Sequence, residues 1–266
     1  MGKHRATSKE RLAGGVLLAA TASGLAAVAL SGAGTASATC ASISGIGNSA
    51  NCTSTPGSFS LAVGNNASAA SAGLFVGAVA VGNNAAAAAA GPALNFAYAG
   101  GTNAAAVAGG GPLNLAITQG DNSAAGAVGI GTAALNFGKN SQAVAAGVGA
   151  VAANLGDNSA AIAQGAGVGA FTVLSPGSIT AVTGAGNIGA NLLSKNSVVQ
   201  VSGGSFNPAD PLATKLGFNS GLNILGTNNV VQATGGPFAS AISLAQTNKV
   251  VQRTTTGINF NGNNFP

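Results

Sequence analysis

The sequence predicts an all-β protein, a β-solenoid of the β-helix or β-roll kind with coils of 18–19 residues. Three observations predict it. A four-residue phrase, Gly-x-Asn-(Ala/Ser), returns six times at steps of 18, 19, 19, 18 and 18 residues. Alanine stands five residues after each of the six glycines. The 43 glycines and the lack of a long 3.6-residue apolar stripe argue against a helical array, because each glycine inside a helix costs about 1 kcal/mol. A fixed period of this kind marks architectures in which each unit buries its apolar face only against its neighbours.

Residues 1–38 read as a secretory signal peptide, expected as an N-terminal signal helix. Lys3, Arg5, Lys9 and Arg11 form a positive opening, Leu12 to Leu30 is an apolar run, and Ala36-Ser37-Ala38 supplies small residues for cleavage. A single membrane anchor is the competing reading. Gly14, Gly15, Ser23 and Gly24 within the run, and the cleavage site after it, favour removal, which leaves no membrane span. The leader also carries much of the charge. The chain has a net charge of +5, but beyond Ala38 five bases face three acids, a net of +2. The basic balance therefore gives no support for nucleic-acid binding, which needs a basic patch on the folded domain.

Residues 39–56 are expected to form an N-terminal cap closed by a disulfide between Cys40 and Cys52, the only cysteines. An even pair in an exported chain reads as a bridge, and repeat arrays need protected ends. Residues 57–255 are the expected repeat domain. Its turns are Gly64 with Asn66, Gly82 with Asn84, Gly101 with Asn103, Gly120 with Asn122, Gly138 with Asn140, and Gly156 with Asn158. Glycine, and to a lesser degree asparagine, tolerates positive φ. The alanine column is Ala69, Ala87, Ala106, Ala125, Ala143 and Ala161, small enough for a narrow interior. Larger apolar residues lie three and one positions before the glycine, as in Leu61 and Val63, Val79 and Val81, or Leu135 and Phe137. Residues two apart share a face of a strand, so these pairs predict a buried face.

Pro176-Gly177-Ser178 falls where a seventh phrase is due, and Asn196 falls two steps of 19 after Asn158. In the last third the phrase becomes Asn-x-Val-Val-Gln, at Asn196, Asn228 and Asn248. Val-Val-Gln suits a strand, and stacked amides can form ladders. The prolines of Asn207 to Pro211 predict a loop thrown out of the coil. Residues 256–266 read as an Asn- and Gly-rich tail that frays.

The Gly-x-Asn-(Ala/Ser) phrases between short apolar alternations resemble the head repeats of trimeric autotransporter adhesins, β-rolls of bacterial surfaces. Gln119-Gly120-Asp121-Asn122-Ser123-Ala124, with the Asn-x-Val-Val-Gln phrases, is similar to curlin repeats of functional amyloid. A basic leader before an Ala-, Gly- and Asn-rich body resembles secreted proteins of mycobacteria and related actinobacteria. These resemblances imply a surface role and a β-roll fold.

The chemistry is bounded by what the chain lacks. The one histidine, His4, lies in the leader, and no glutamate follows Ala38. Asp121 and Asp157 occupy the same turn position two coils apart, at about 10 Å for rungs of about 4.8 Å. Lys139 stands between them, which reads as a solvated charge ladder rather than an acid–base pair. No metal-ligand set, phosphate loop or cofactor motif is present. The sequence thus points to a non-enzymatic secreted or cell-surface structural or adhesive protein with no cofactor. Its expected partners are its own kind, surface polysaccharide or a host surface. A self-assembling amyloid-like coat is the alternative, and a glycan- or ice-binding solenoid a third reading.

Overall fold

The period is created at a corner. Asn66, Asn84, Asn103, Asn122, Asn140 and Asn158 all take left-handed φ between 50° and 54°. Asparagine tolerates this conformation better than other residues bearing a Cβ. Two residues earlier the glycines press on the next coil: a Cβ on Gly82, at φ 139°, would lie 2.1 Å from the carbonyl oxygen of Gly101. The phrase therefore turns the chain and lets successive coils touch.

The computed structural model describes residues 39–47, 49–204, 217–234 and 237–266. The expected signal helix and the proline loop at Asn207 to Pro211 lie outside them. Among the described residues the protein is all-β, a β-solenoid of about ten turns. One coil runs Phe59–Val63, corner, Ser68–Leu74, second corner, Gly77–Val81. Gly77–Val81 then stacks parallel and in register on Phe59–Val63. Repetition gives a larger sheet of fourteen strands and a smaller one of eleven.

The interior is lined by alanine from both sheets. Ala69, Ala87, Ala106, Ala125, Ala143 and Ala161 are successive register partners along the smaller sheet, each at most 3% exposed. The row starts at Cys52 and continues as Thr180, Val199, Val231 and Val251. On the larger sheet Ala78, Ala97, Ala116, Ala134, Ala152 and Ala170 are buried in one row, which continues as Gly189 and Gly221. The change to glycine has a volume cause. A Cβ on Gly189 would come 2.7 Å from Val182 Cγ2, and one on Gly221 2.7 Å from Val201 Cγ2. Where valine enters on one sheet, the other gives up its methyl groups, and packing density is kept.

The strand before each turn glycine faces the opposite way from expectation. Leu61, Val63, Val79, Val81, Leu135 and Phe137 point outward and are partly or well exposed. Their neighbours Ala62, Ala80, Ala99, Thr118, Asn136 and Asn154 point inward and are buried. The two-residue alternation is present, but its larger members do not fit a channel sized for alanine. A shift of one residue exchanges the faces of a strand.

Both ends of the larger sheet are closed by antiparallel strands. Cys40–Ile43 runs against Phe59–Val63, and Ile46–Gly47 folds back on it. The Cys40–Cys52 disulfide ties this cap to the first strand of the smaller sheet, Cys52–Ser54. At the far end Gly257–Phe260 is the last parallel rung, and Asn263–Phe265 pairs antiparallel with it. Residues 256–266, expected to fray, are therefore a closing rung and hairpin. Their backbone groups find partners in the sheet, which the Asn- and Gly-rich composition did not reveal. Terminal strands set against the stack cover edges that would otherwise pair with other chains.

Candidate functional site

The turn asparagines come together as a column along one corner. Asn84 Nδ2 donates to Asn103 Oδ1 at 3.3 Å, and Asn103 Nδ2 donates to Asn122 Oδ1 at 3.1 Å. Asn140 donates to Asn158 at 3.4 Å, and Asn228 to Asn248 at 3.1 Å. Gln232 donates to Gln200 at 3.2 Å on the smaller sheet. Gly177 carries the left-handed φ at the seventh position of the corner, and its N–H donates to the Asp157 carbonyl at 3.1 Å. The similar phrase at Pro56-Gly57 lies at the opposite corner, where the Phe75 N–H donates to the Gly57 carbonyl.

Beside the asparagine column lies a groove of about 400 Å³ between the corner and the outer face of the larger sheet. Tyr98, Gln119, Asp121, Phe137, Lys139 and Asp157 line it, with the backbone of Gly100 and Gly101. Its depth comes from Gly100, which sits in an outward row occupied by Val81 before it and Gln119 after it. Asp121 Oδ1 accepts from the Thr102 N–H at 2.8 Å, and Asp157 Oδ1 accepts from the Lys139 N–H at 2.7 Å. Each carboxylate thus braces the coil before it. Aromatic edges, an amide and two carboxylates could hold a polyol by stacking and hydrogen bonds.

The outer face of the larger sheet is the most extensive feature. Its middle row reads Leu61, Val79, Tyr98, Ile117, Leu135, Ala153, Phe171, Ala190, Leu222 and Ile242. The flanking rows add Phe59, Val63, Val81, Phe137, Leu155, Ile188, Leu244 and Ile258, all at least 37% exposed. No Lys, Arg, Asp or Glu occupies an outward position on these parallel strands.

The second corner carries bulky groups in an unusual conformation. Phe75, Leu94, Leu113, Phe218 and Phe238 have φ between 49° and 64°, and all are exposed. Phe218 and Phe238 stack at 5.5 Å between centroids. A bulky residue in this region is an outlier that costs about 1–3 kcal/mol.

Sequence reasoning missed four features. The first is the outward apolar face, whose signal was read for the wrong side. The second is a further glycine column nine residues after the first, at Gly73, Gly91, Gly110, Gly129, Gly147 and Gly165, visible as a half-period in the sequence. The third is the row of buried polar side chains. Asn154 donates to Asn136 Oδ1 and the Ser159 carbonyl, and accepts from the Gly156 N–H and Ser159 hydroxyl. The fourth, the positive φ of Leu and Phe at the second corner, has no signal in residue type.

Among the described residues no group of three or more His, Cys, Asp or Glu could hold a metal ion. No described helix is long and apolar enough to cross a membrane. The fold and its surfaces define a capped, two-sheet β-solenoid with one apolar, uncharged outer face. The chain matches no family model, no curated protein and no solved structure.

Proposed function

We propose that the protein is a non-enzymatic structural or adhesive element, secreted or held at the cell surface. The observation that carries this reading is the uncharged, apolar outer face of the larger sheet, which is closed at both ends by antiparallel strands. Contiguous apolar surface of this extent marks an interaction site. The disulfide accords with an oxidising compartment. The groove at Tyr98 and Asp121 offers the same solenoid a contact for surface polysaccharide.

Fractionation of the producing cell tests the reading, with protease shaving of intact cells to report exposure. Recovery in the envelope or medium, with loss on shaving, is expected. A protected cytosolic pool would overturn it.

The amide ladders favour a second reading, a self-assembling amyloid-like coat, because stacked Asn and Gln stabilise cross-β fibres. The antiparallel end strands weigh against end-to-end growth. Thioflavin-positive fibres that seed fresh protein would select this second reading.

A further inference from the structure

We infer that the outer face of the larger sheet is the contact between two copies of this chain, packed face to face as a closed dimer. The inference deepens the proposed surface role by naming a partner, and its test does not depend on where the protein resides.

Size comes first. Fourteen strands less the three antiparallel terminal ones leave eleven parallel rungs. At about 4.8 Å per rung and about 3.3 Å per residue, the five-residue rungs cover roughly 50 Å by 16 Å. That is about 800 Å² per copy, the area a standard stable interface takes from each partner.

Chemistry narrows the occupant. The outward positions hold no charge, and two of their few hydroxyls, Ser220 and Ser240, bond to each other at 2.8 Å. A nucleic acid, an anionic lipid headgroup or a charged polymer would find no counter-charge on this face. A partner that buries it must itself be flat, apolar and uncharged over about 50 Å.

Geometry selects a second copy. Outward rows stand on rungs of one spacing, so a face of the same spacing can meet them rung for rung. Sheets pack in this way about 10 Å apart. A two-fold axis makes such a contact self-complementary and closed. The sixth of the eleven rungs is Val151–Leu155, where Ala153 forms a dip between Leu135 and Phe171. An axis through this rung sets Leu135 of one copy beside Phe171 of the other.

The test is the mass of the full chain in solution by light scattering at about 100 µM, a concentration at which an interface of this standard size is occupied. Twice the chain mass of 24.7 kDa is expected. Leu135→Lys and Leu155→Lys place a charge in the contact and are expected to weaken association at least a hundredfold, giving single chains with unchanged circular dichroism. If one of them unfolds, the other reads the same contact. Val144→Lys, outward on the smaller sheet, is expected to leave the dimer intact. Mixing Leu135→Lys with Phe171→Glu is expected to restore the doubled mass. A wild-type chain that stays single overturns the inference, whether a lipid, a glycan or the chain's own residues 12–30 cover the face. So do a Leu135→Lys chain that stays paired, a Val144→Lys chain that separates, and a mass that grows past two copies with concentration.

Discussion

Gly126 and Gly129 lie three residues apart in one strand, Ala124–Ile130, and their replacement by alanine should have opposite effects. A Cβ on Gly129 would stand 1.9 Å from the carbonyl oxygen of Gly147 on the next coil, at a φ of 139°. Holding an L-residue in so sparse a region costs about 1–3 kcal/mol. Relieving the overlap, where the obstacle is backbone and not a flexible side chain, costs about 1–3 kcal/mol more. The total is about 4 kcal/mol. A Cβ on Gly126 meets nothing within 4 Å, and its φ is not in the left-handed region. Its outward position lies between Val107 and Val144 on the neighbouring rungs. Removing a glycine's freedom from the unfolded chain there should stabilise by about 0.4–1 kcal/mol. For a chain of this size each kcal/mol moves Tm by about 2–4 °C. Gly129→Ala should therefore lower Tm by about 8–16 °C, and Gly126→Ala should raise it by about 1–4 °C. Thermal unfolding followed by circular dichroism measures both, and hydrogen exchange at the central coils shows where protection is lost. A solenoid can open locally, so the exchange data decide whether the loss is confined to the coils around Gly129. A Gly129→Ala protein as stable as the parent, or a Gly126→Ala protein less stable than Gly129→Ala, would refute contact between successive coils as the reason for glycine.

Three further outcomes are expected. Gly221→Ala should cost about 1–3 kcal/mol in urea unfolding because its methyl meets Val201, and Val201→Ala in the same chain should recover much of the loss. Replacing Cys40 and Cys52 together by alanine should cost about 3 kcal/mol, with exchange rising first in residues 40–63. Asn154→Leu should cost about 2–4 kcal/mol despite its similar volume, since the buried Gly156 N–H loses its acceptor and the Asn136 amide oxygen and the Ser159 carbonyl each lose one of two donors. A melting curve unchanged within 2 °C, at the few degrees expected per kcal/mol, would remove the Asn154 claim.

How much of this was legible in the sequence differs between the corners. The asparagine corner was readable because it needs a left-handed φ and, two residues earlier, a position where successive coils touch, and asparagine and glycine are the residues that suit these demands. Asn66 through Asn158 announce it by type alone. The second corner takes the same left-handed φ with Phe75, Leu94 and Leu113 in its early coils and with Gly131, Gly149, Gly167 and Gly186 in the middle ones, so its residue type changes along the stack and only the glycines signal it. The alanine row was readable from its constancy. The side on which the larger residues lie was not, because a period of two gives alternation without direction. The channel width decides it, and that width follows from the opposed rows of alanine, which only the folded chain brings together. Alternation likewise gave no sign that Asn136 and Asn154 are buried. The candidate surfaces inherit these limits: the groove at Asp121 lies at a legible turn, whereas the apolar face rests on the direction that alternation left open.

The antiparallel strands at the two ends of the larger sheet give the rod a set length. On the larger sheet no parallel rung lies beyond Cys40–Ile43 or Asn263–Phe265, so its span is counted by the repeats between them. Removing residues 121–138 would join Gly120 to Lys139, delete one winding and draw the two ends together by about 4.8 Å, leaving both closures in place. In this sense the protein is a ruler, and its graduations are the asparagines.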